Sequence, residues 1–205
     1  MTFNLTRRVI RAMLTIAPTV DVRYYLVGMH LRGDARGVIA EATDGHAMLR
    51  ARVSDAPQAP AWSLILPRTA LEPLAGKGKK TLDEVVTVDA SDPGAVIIRE
   101  PDGTVRTIQS VDGTYPDTDR VTPVGSARPP IAPAQFSPTL LARVHAALQL
   151  LGAAEGDIQV RQHGDKPSLV TASGLPEALA VVMPWRQPDA TVPGWALLTA
   201  EGGAR

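Results

Sequence analysis

The chain has 205 residues, 44% of them hydrophobic, with 21 Lys and Arg balancing 21 Asp and Glu and no cysteine. Disulfides, thiolate nucleophiles and cysteine zinc sites are therefore excluded, and a chain of zero net charge does not bind nucleic acid by bulk attraction. The apolar fraction supports a buried core, no run reaches the roughly 18–20 apolar residues of a membrane span, and a cytoplasmic globular protein is expected.

The N-terminal stretch MTFNLTRRVIRAML lacks a small-residue cleavage site and does not read as a signal peptide. Residues 5–17 (LTRRVIRAMLTIA) predict a helix capped by Asn4 or Thr6 and ended by Pro18. Leu5, Val9, Ala12, Met13 and Ile16 recur at three- and four-residue steps, with Arg7, Arg8 and Arg11 mainly on the other side. RYYLVGMHL (23–31), GVIAEAT (37–43) and HAMLRARV (46–53) read as strands, followed by a short one at SLILP (63–67). TALEPLAG (69–76) predicts a short helix limited by Pro73. Three further β-branched runs follow, EVVTVDA (84–90), AVIIREP (95–101) and TVRTIQS (104–110), separated by Asp-Pro-Gly and Pro-Asp-Gly turns. The Pro-rich stretch 121–135 reads as a linker. Beyond it Ser137 caps a helix with Pro138 at its first position, an apolar face of Leu140, Leu141, Val144, Leu148 and Leu151, and Gly152 as its stop. DIQVRQHG (157–164), SLVTAS (168–173) and ALAVVMPW (178–185) supply the last strands, and 187–205 is a Pro/Gly/Ala-rich tail.

A helix followed by strands thus occurs three times. That predicts an α+β fold with antiparallel sheets outside a row of helices. No phosphate-binding loop is present, because AGKGKK lacks both the spacing and the terminal Ser or Thr.

Thr43-Asp44-Gly45-His46 has the residue types of an active site, with Asp44 able to orient His46. No serine nucleophile motif accompanies it, and His30, His46, His145 and His163 have no metal-pair spacing. Asp-Gly is also a strong tight-turn signal, and it recurs at Asp102-Gly103 and Asp112-Gly113. On that reading Thr43 and Asp44 finish one strand and His46 opens the next. The basic runs Arg7, Arg8, Arg11 and Lys77, Lys79, Lys80 read either as solvated surface or as local positive patches.

Taken together, DVRYYLVGMHL, ATDGHAMLRA, LILPRTALEPL, SVDGTYPDTDRVTP and ALAVVMPWR stand in an order that resembles the bacterial DNA sliding clamp, the beta subunit of the DNA polymerase III holoenzyme. Residues 1–124 resemble its middle domain and 125–186 a shortened last domain, with 187–205 as a C-terminal extension. The resemblance implies a processivity factor with no catalytic activity and no cofactor, in a DNA-clamp fold whose helices line a ring pore. Duplex DNA would be held there by sequence-independent phosphate attraction, through Arg7, Arg8, Arg11, Arg23, Tyr24, Lys77, Lys79 and Lys80.

It also implies a pocket for short peptides of DNA polymerase, the clamp loader and repair proteins. Leu26, Thr43, Gly45, His46 and Met48 would form one wall and Pro116, Arg120 and Val121 another, closed by Val181, Val182, Met183, Pro184 and Trp185. The family's first domain is not represented. Two domains per chain would make a six-domain homo-oligomeric ring a trimer, whereas three helix-plus-sheet units per chain would make a twelve-unit ring a tetramer. Both stay open. Ala47-Met48-Leu49 and Trp185 stand where the family often has an arginine and a methionine. The apolar cluster Trp195–Leu198 would either add an edge strand or lie in the pocket as a competitor. The alternative is a clamp-like interaction protein that does not encircle DNA and binds clamp-binding peptides or a host clamp to regulate replication.

Overall fold

The computed structural model describes residues 1–92, 94–123 and 134–185. The stretch 124–133, most of the expected linker, and the tail 187–205 lie outside them. The elements in chain order are β1 (Thr2–Thr6), α1 (Arg7–Ile16), β2 (Gly28–Asp34), β3 (Gly37–Thr43), β4 (Ala47–Ser54), β5 (Trp62–Pro67), α2 (Arg68–Leu74), β6 (Val85–Asp89), β7 (Ala95–Arg99), β8 (Val105–Gln109), α3 (Pro138–Leu151), β9 (Gln159–His163), β10 (Lys166–Thr171) and β11 (Ala178–Val182). They form an α+β fold with one four-stranded sheet, β1-β6-β7-β8, and one seven-stranded sheet, β5-β2-β3-β4-β11-β10-β9. Every pairing between named strands is antiparallel.

The first element departs from the helical pattern. Leu5 belongs to a strand, in which Phe3 and Leu5 alternate as buried residues with exposed Thr2 and Asn4. The helix begins at Arg7, where the Thr6 hydroxyl accepts the Val9 N–H at 3.4 Å and resolves the choice of cap. α1 then buries Ile10, Met13 and Ile16 completely. The strand expected from residue 23 begins only at Gly28, because Tyr24–Leu26 form a 3-10 turn. At Gly28 the backbone runs so close to β5 that an added Cβ would stand 2.1 Å from the Leu66 carbonyl oxygen. α2 contains Pro73 one residue before its end, outside the first turn, so the helix lacks the N–H that would donate to the Thr69 carbonyl and stops at Leu74. α3 matches its pattern: Ser137 caps it, Pro138 opens it, and Gly152 at φ 119° ends it.

The strands do not stay with their own helices. β1 precedes α1 but pairs with β6, and β5 precedes α2 but pairs with β2. The third unit joins the first through β4 and β11, in register from Ala178 opposite Ala51 to Val182 opposite Ala47. One core collects Ile10 and Met13 of α1, Leu71 and Leu74 of α2, Val144 and Leu148 of α3, and the inner faces of both sheets. No helix among the described residues is long and apolar enough to cross a membrane.

Ile10 has no exposed surface. Replacing it with alanine should lower unfolding stability by about 2–5 kcal/mol through lost burial and a residual cavity. Urea denaturation checks this as a shifted midpoint with an unchanged slope.

Candidate functional site

The Thr43–His46 stretch is a turn held by its own side chains. Gly45 sits at φ +90°, a conformation that other residues rarely adopt. Asp44 Oδ1 accepts the N–H groups of His46 and Ala47, each at 2.8 Å. The Thr43 hydroxyl donates to the Ala47 carbonyl at 2.7 Å and accepts the Gly45 N–H at 3.0 Å. The other Asp44 oxygen pairs with Arg143 of α3, and Arg23 donates to the Asp44 carbonyl at 3.0 Å. Burial works against ionisation of Asp44. The Ala47 N–H, Arg143 and the His46 N–H outweigh it and hold the carboxyl below its ordinary value. The carboxylate is thereby consumed in fixing the turn and does not orient the His46 imidazole.

Beyond the turn, β4 and the end of β11 run side by side, with Met183 N–H donating to the His46 carbonyl at 2.8 Å. A groove of about 240 Å³ opens at this seam. Its lining includes Leu26, Thr43, Gly45, His46, Met48, Pro116, Val121, Val181 and Met183, all expected from the sequence, together with Arg23, Ala47, Asp117 and Thr118. A neighbouring groove of about 270 Å³ shares His46 and Met183 and adds Asp44, Ser137, Leu140, Pro184 and Trp185. Trp185 is 61% exposed, and its N–H donates to the Gln135 carbonyl at 2.6 Å. Val182 turns into the core instead, and exposed Arg120 lines neither groove. Asp117 and Thr118 adjoin the expected Pro116 and were within reach of the motif. Arg143 carried no local signal, since its partner is 99 positions away.

The wall at 115–121 is anchored from below by a buried carboxylate. Glu41 on β3 has no exposed surface. It accepts from His30 Nδ1 at 3.1 Å, Arg50 Nε at 2.6 Å and the Thr118 hydroxyl at 2.8 Å, with Arg32 at 3.4 Å. Burial alone would raise its pKa, but His30, Arg50, Arg32 and Thr118 hold it lowered. Arg32 and Arg50 also pair with Asp119 at 2.9 and 2.8 Å. Tyr115 stacks on His30 at 4.4 Å between ring centroids.

The cations expected to meet DNA divide into two groups. Arg7 is only 7% exposed. Its guanidinium donates to Glu84 at 2.9 Å, Glu100 at 3.0 Å and the Leu74 carbonyl at 2.6 Å. The helical pattern placed it on a surface, but the fold makes it an internal brace. Arg8 pairs with Asp83 and donates to the Leu150 carbonyl at 3.0 Å. Arg23 pairs with Asp21 at 2.7 Å and belongs to the groove. Arg11 donates to the Ala75 and Gly78 carbonyls and the Thr81 hydroxyl, with no acidic partner among the described residues. Lys77, Lys79 and Lys80 are exposed. Tyr24 is 59% exposed, with its hydroxyl donating to the Asp112 carbonyl at 3.0 Å. No group of three or more His, Asp or Glu among the described residues is placed to hold a metal ion.

The fold is similar to solved structures of the DNA polymerase III subunit beta from Pseudomonas aeruginosa. One matches with a TM-score of 0.66 at 19% identity, covering 91% of this chain and 66% of that one. A DNA polymerase sliding clamp from the same organism, solved with a ligand, matches with a TM-score of 0.65 at 19% identity over the same shares. A third, bound to griselimycin, gives 0.64 at 20% identity, again over 91% and 66%. No family model and no curated protein matches the chain. The chain therefore has the fold of these bacterial sliding clamps and spans 66% of the length of the relatives it matches.

Replacing Asp44 with alanine should cost about 1–3 kcal/mol, because two backbone donors and Arg143 lose their acceptor. Since its folded-state pKa lies below the unfolded value, the contribution is complete above about pH 4 and is lost as pH falls through the folded value. Urea melts of wild type and variant should differ at pH 7 and converge below pH 4.

Proposed function

We propose that this protein is a sliding clamp that tethers replication and repair proteins through the groove at the β4–β11 seam. The observation that carries this reading is the groove itself. Residues up to 157 positions apart, from Leu26 to Met183, converge on one largely apolar surface that also includes His46, Thr43 and Arg23. Such a surface suits a short linear peptide, since burial supplies affinity and rim hydrogen bonds set register. At about 25 cal/mol per Å² of apolar surface, two inserted side chains contribute a few kcal/mol, which fits exchangeable, micromolar partners.

In this reading residues 1–124 and 125–186 are two clamp domains joined edge to edge by the β4–β11 ladder, with 187–205 as an extension. Copies of the chain close into a trimeric or tetrameric ring around duplex DNA. Exposed Lys77, Lys79 and Lys80, with Arg11, carry the phosphate attraction. Arg7 has no free guanidinium for that role.

One observation favours a second reading, a clamp-like interaction protein that does not encircle DNA. Arg7 and Arg8, the first cations of α1, already have carboxylate partners within the chain. Native mass and DNA topology separate the two. A ring should give a trimer or tetramer, stay on closed circular duplex and leave when the circle is cut. A monomer at micromolar concentration, with no retention on circles, would establish the second reading.

Peptide capture is tested separately. His46→Ala should weaken binding of a fluorescent clamp-binding peptide by about fivefold or more, the effect of losing roughly 1 kcal/mol at a contact. Native mass should not change. Lost assembly with normal peptide affinity would contradict the assignment of His46 to the groove.

A further inference from the structure

Three side chains on the large sheet, facing away from the main core, form a relay, and none of them lines the groove. Glu41 and His30 stand directly opposite in the β3–β2 ladder, and Ser63 lies on β5, the next strand. Ser63 pairs with Arg32, two residues along from His30, so all three side chains share one face. Ser63 Oγ lies 2.8 Å from His30 Nε2, and His30 Nδ1 lies 3.1 Å from Glu41 Oε2. Burial falls along the relay: Glu41 is fully buried, His30 is 6% exposed, and Ser63 is exposed. Asp44 and His46, two apart in the chain, do not make such a pairing; Glu41, His30 and Ser63, brought together from three strands, do.

A carboxylate can only accept, so Glu41 places the imidazole proton on Nδ1 and leaves Nε2 to accept the Ser63 hydroxyl. Tyr115, stacked within 14° of parallel on the imidazole, keeps the ring from turning. This is the arrangement of a nucleophile, its base and the group that orients the base. A cavity of about 300 Å³ is lined by His30, Arg32, Glu41, Ser63 and residues 113–118. Its volume is at the small end for ligand sites. Arg32, opposite Ser63 in the ladder, brings a cation to the nucleophile's side of the cavity. We propose that Ser63 is an acyl-transfer nucleophile, with His30 as its general base and Glu41 as the positioning residue, acting on small carboxylic esters that enter this cavity.

Ser63 Oγ attacks the ester carbonyl carbon while His30 Nε2 takes the hydroxyl proton. The Arg32 guanidinium, on the same cavity wall, favours the oxyanion that forms. The ester C–O bond then breaks, and His30 returns the proton to the departing alkoxide, leaving the acyl group on Ser63. Water attacks the acyl carbon next. Its proton passes to His30 and on to the Ser63 oxygen as the acyl–serine bond breaks. One carboxylic acid and one alcohol are released, and the chain is restored.

A fluorophosphonate probe tests this on the full chain, because its phosphorus bonds an activated serine oxygen and loses fluoride. Peptide mapping should find Ser63 labelled about a hundredfold or more faster than exposed Ser91 and Ser173, the scale of general-base catalysis. Labelling of Ser63 no faster than these two serines would overturn the proposal. His30→Gln should slow Ser63 labelling by about a hundredfold or more, and an unchanged rate would remove the base and the proposal with it. Glu41→Gln should slow it by about tenfold or more while the final label per chain stays the same, since the endpoint counts folded sites. A lower endpoint at the wild-type rate would make Glu41 a structural support and overturn its positioning role. Ser63→Ala changes an exposed position and should lower p-nitrophenyl acetate hydrolysis by about tenfold or more; unchanged hydrolysis would overturn turnover at this site. None of these readouts depends on whether the groove takes a peptide or the chain encircles DNA.

Discussion

The antiparallel ladder between β4 and β11 is the contact on which the rest of the molecule depends. It joins segments about 130 positions apart into one seven-stranded sheet, and α3 packs against α1 beneath it. Hydrogen bonds fix its register, and register determines which residues meet at its end. With Val182 opposite Ala47 and Val181 opposite Met48, Met183 arrives beside His46 and the groove has two walls. A slip of one residue would turn Val181 and Met183 to the other face. The groove is therefore a product of strand pairing, not a cavity left by loose packing.

Two carboxylates stabilise that geometry from opposite sides. Asp44 ties the β3–β4 turn to α3 through Arg143, and Glu41 ties the 115–121 wall to the sheet through Thr118 and, with Asp119, through Arg32 and Arg50. Both are held ionised by several donors against the cost of burial. A buried charge with this many partners costs much to disturb and contributes less to net stability than to holding one arrangement. Here that arrangement places apolar groove residues against backbone that cannot drift. Of the two side chains that suggested catalysis, Asp44 is thus occupied in fixing the turn, and His46 lines the groove.

Strand exchange between units gives the fold its economy and its asymmetry. Where two units face each other, each covers the other's outer strand, and the core-facing valines of β6 disappear from solvent. The third unit has no such counterpart among the described residues. The one valine of β9, Val160, therefore stays partly exposed where Val86 and Val88 of β6 do not.

Much was legible in the residues alone. α3 with its Ser137 cap and Gly152 stop, β3 to its ends, and the Asp44-Gly45 turn all follow from short-range rules, because side-chain periodicity and turn chemistry act within a few residues. The groove set came from resemblance to the sliding clamp, and the structure brings together most of it while sending Val182 inward and leaving Arg120 outside. What only the tertiary structure decided was long-range. Leu5 became a strand residue because β6 was there to pair with it. Arg7 became a brace because Glu84 and Glu100 lie 77 and 93 positions away. Arg143 reached the turn from another unit. Local sequence determines how a segment is shaped, whereas the partner that makes a charge or an apolar face useful is chosen by packing between segments far apart in the chain.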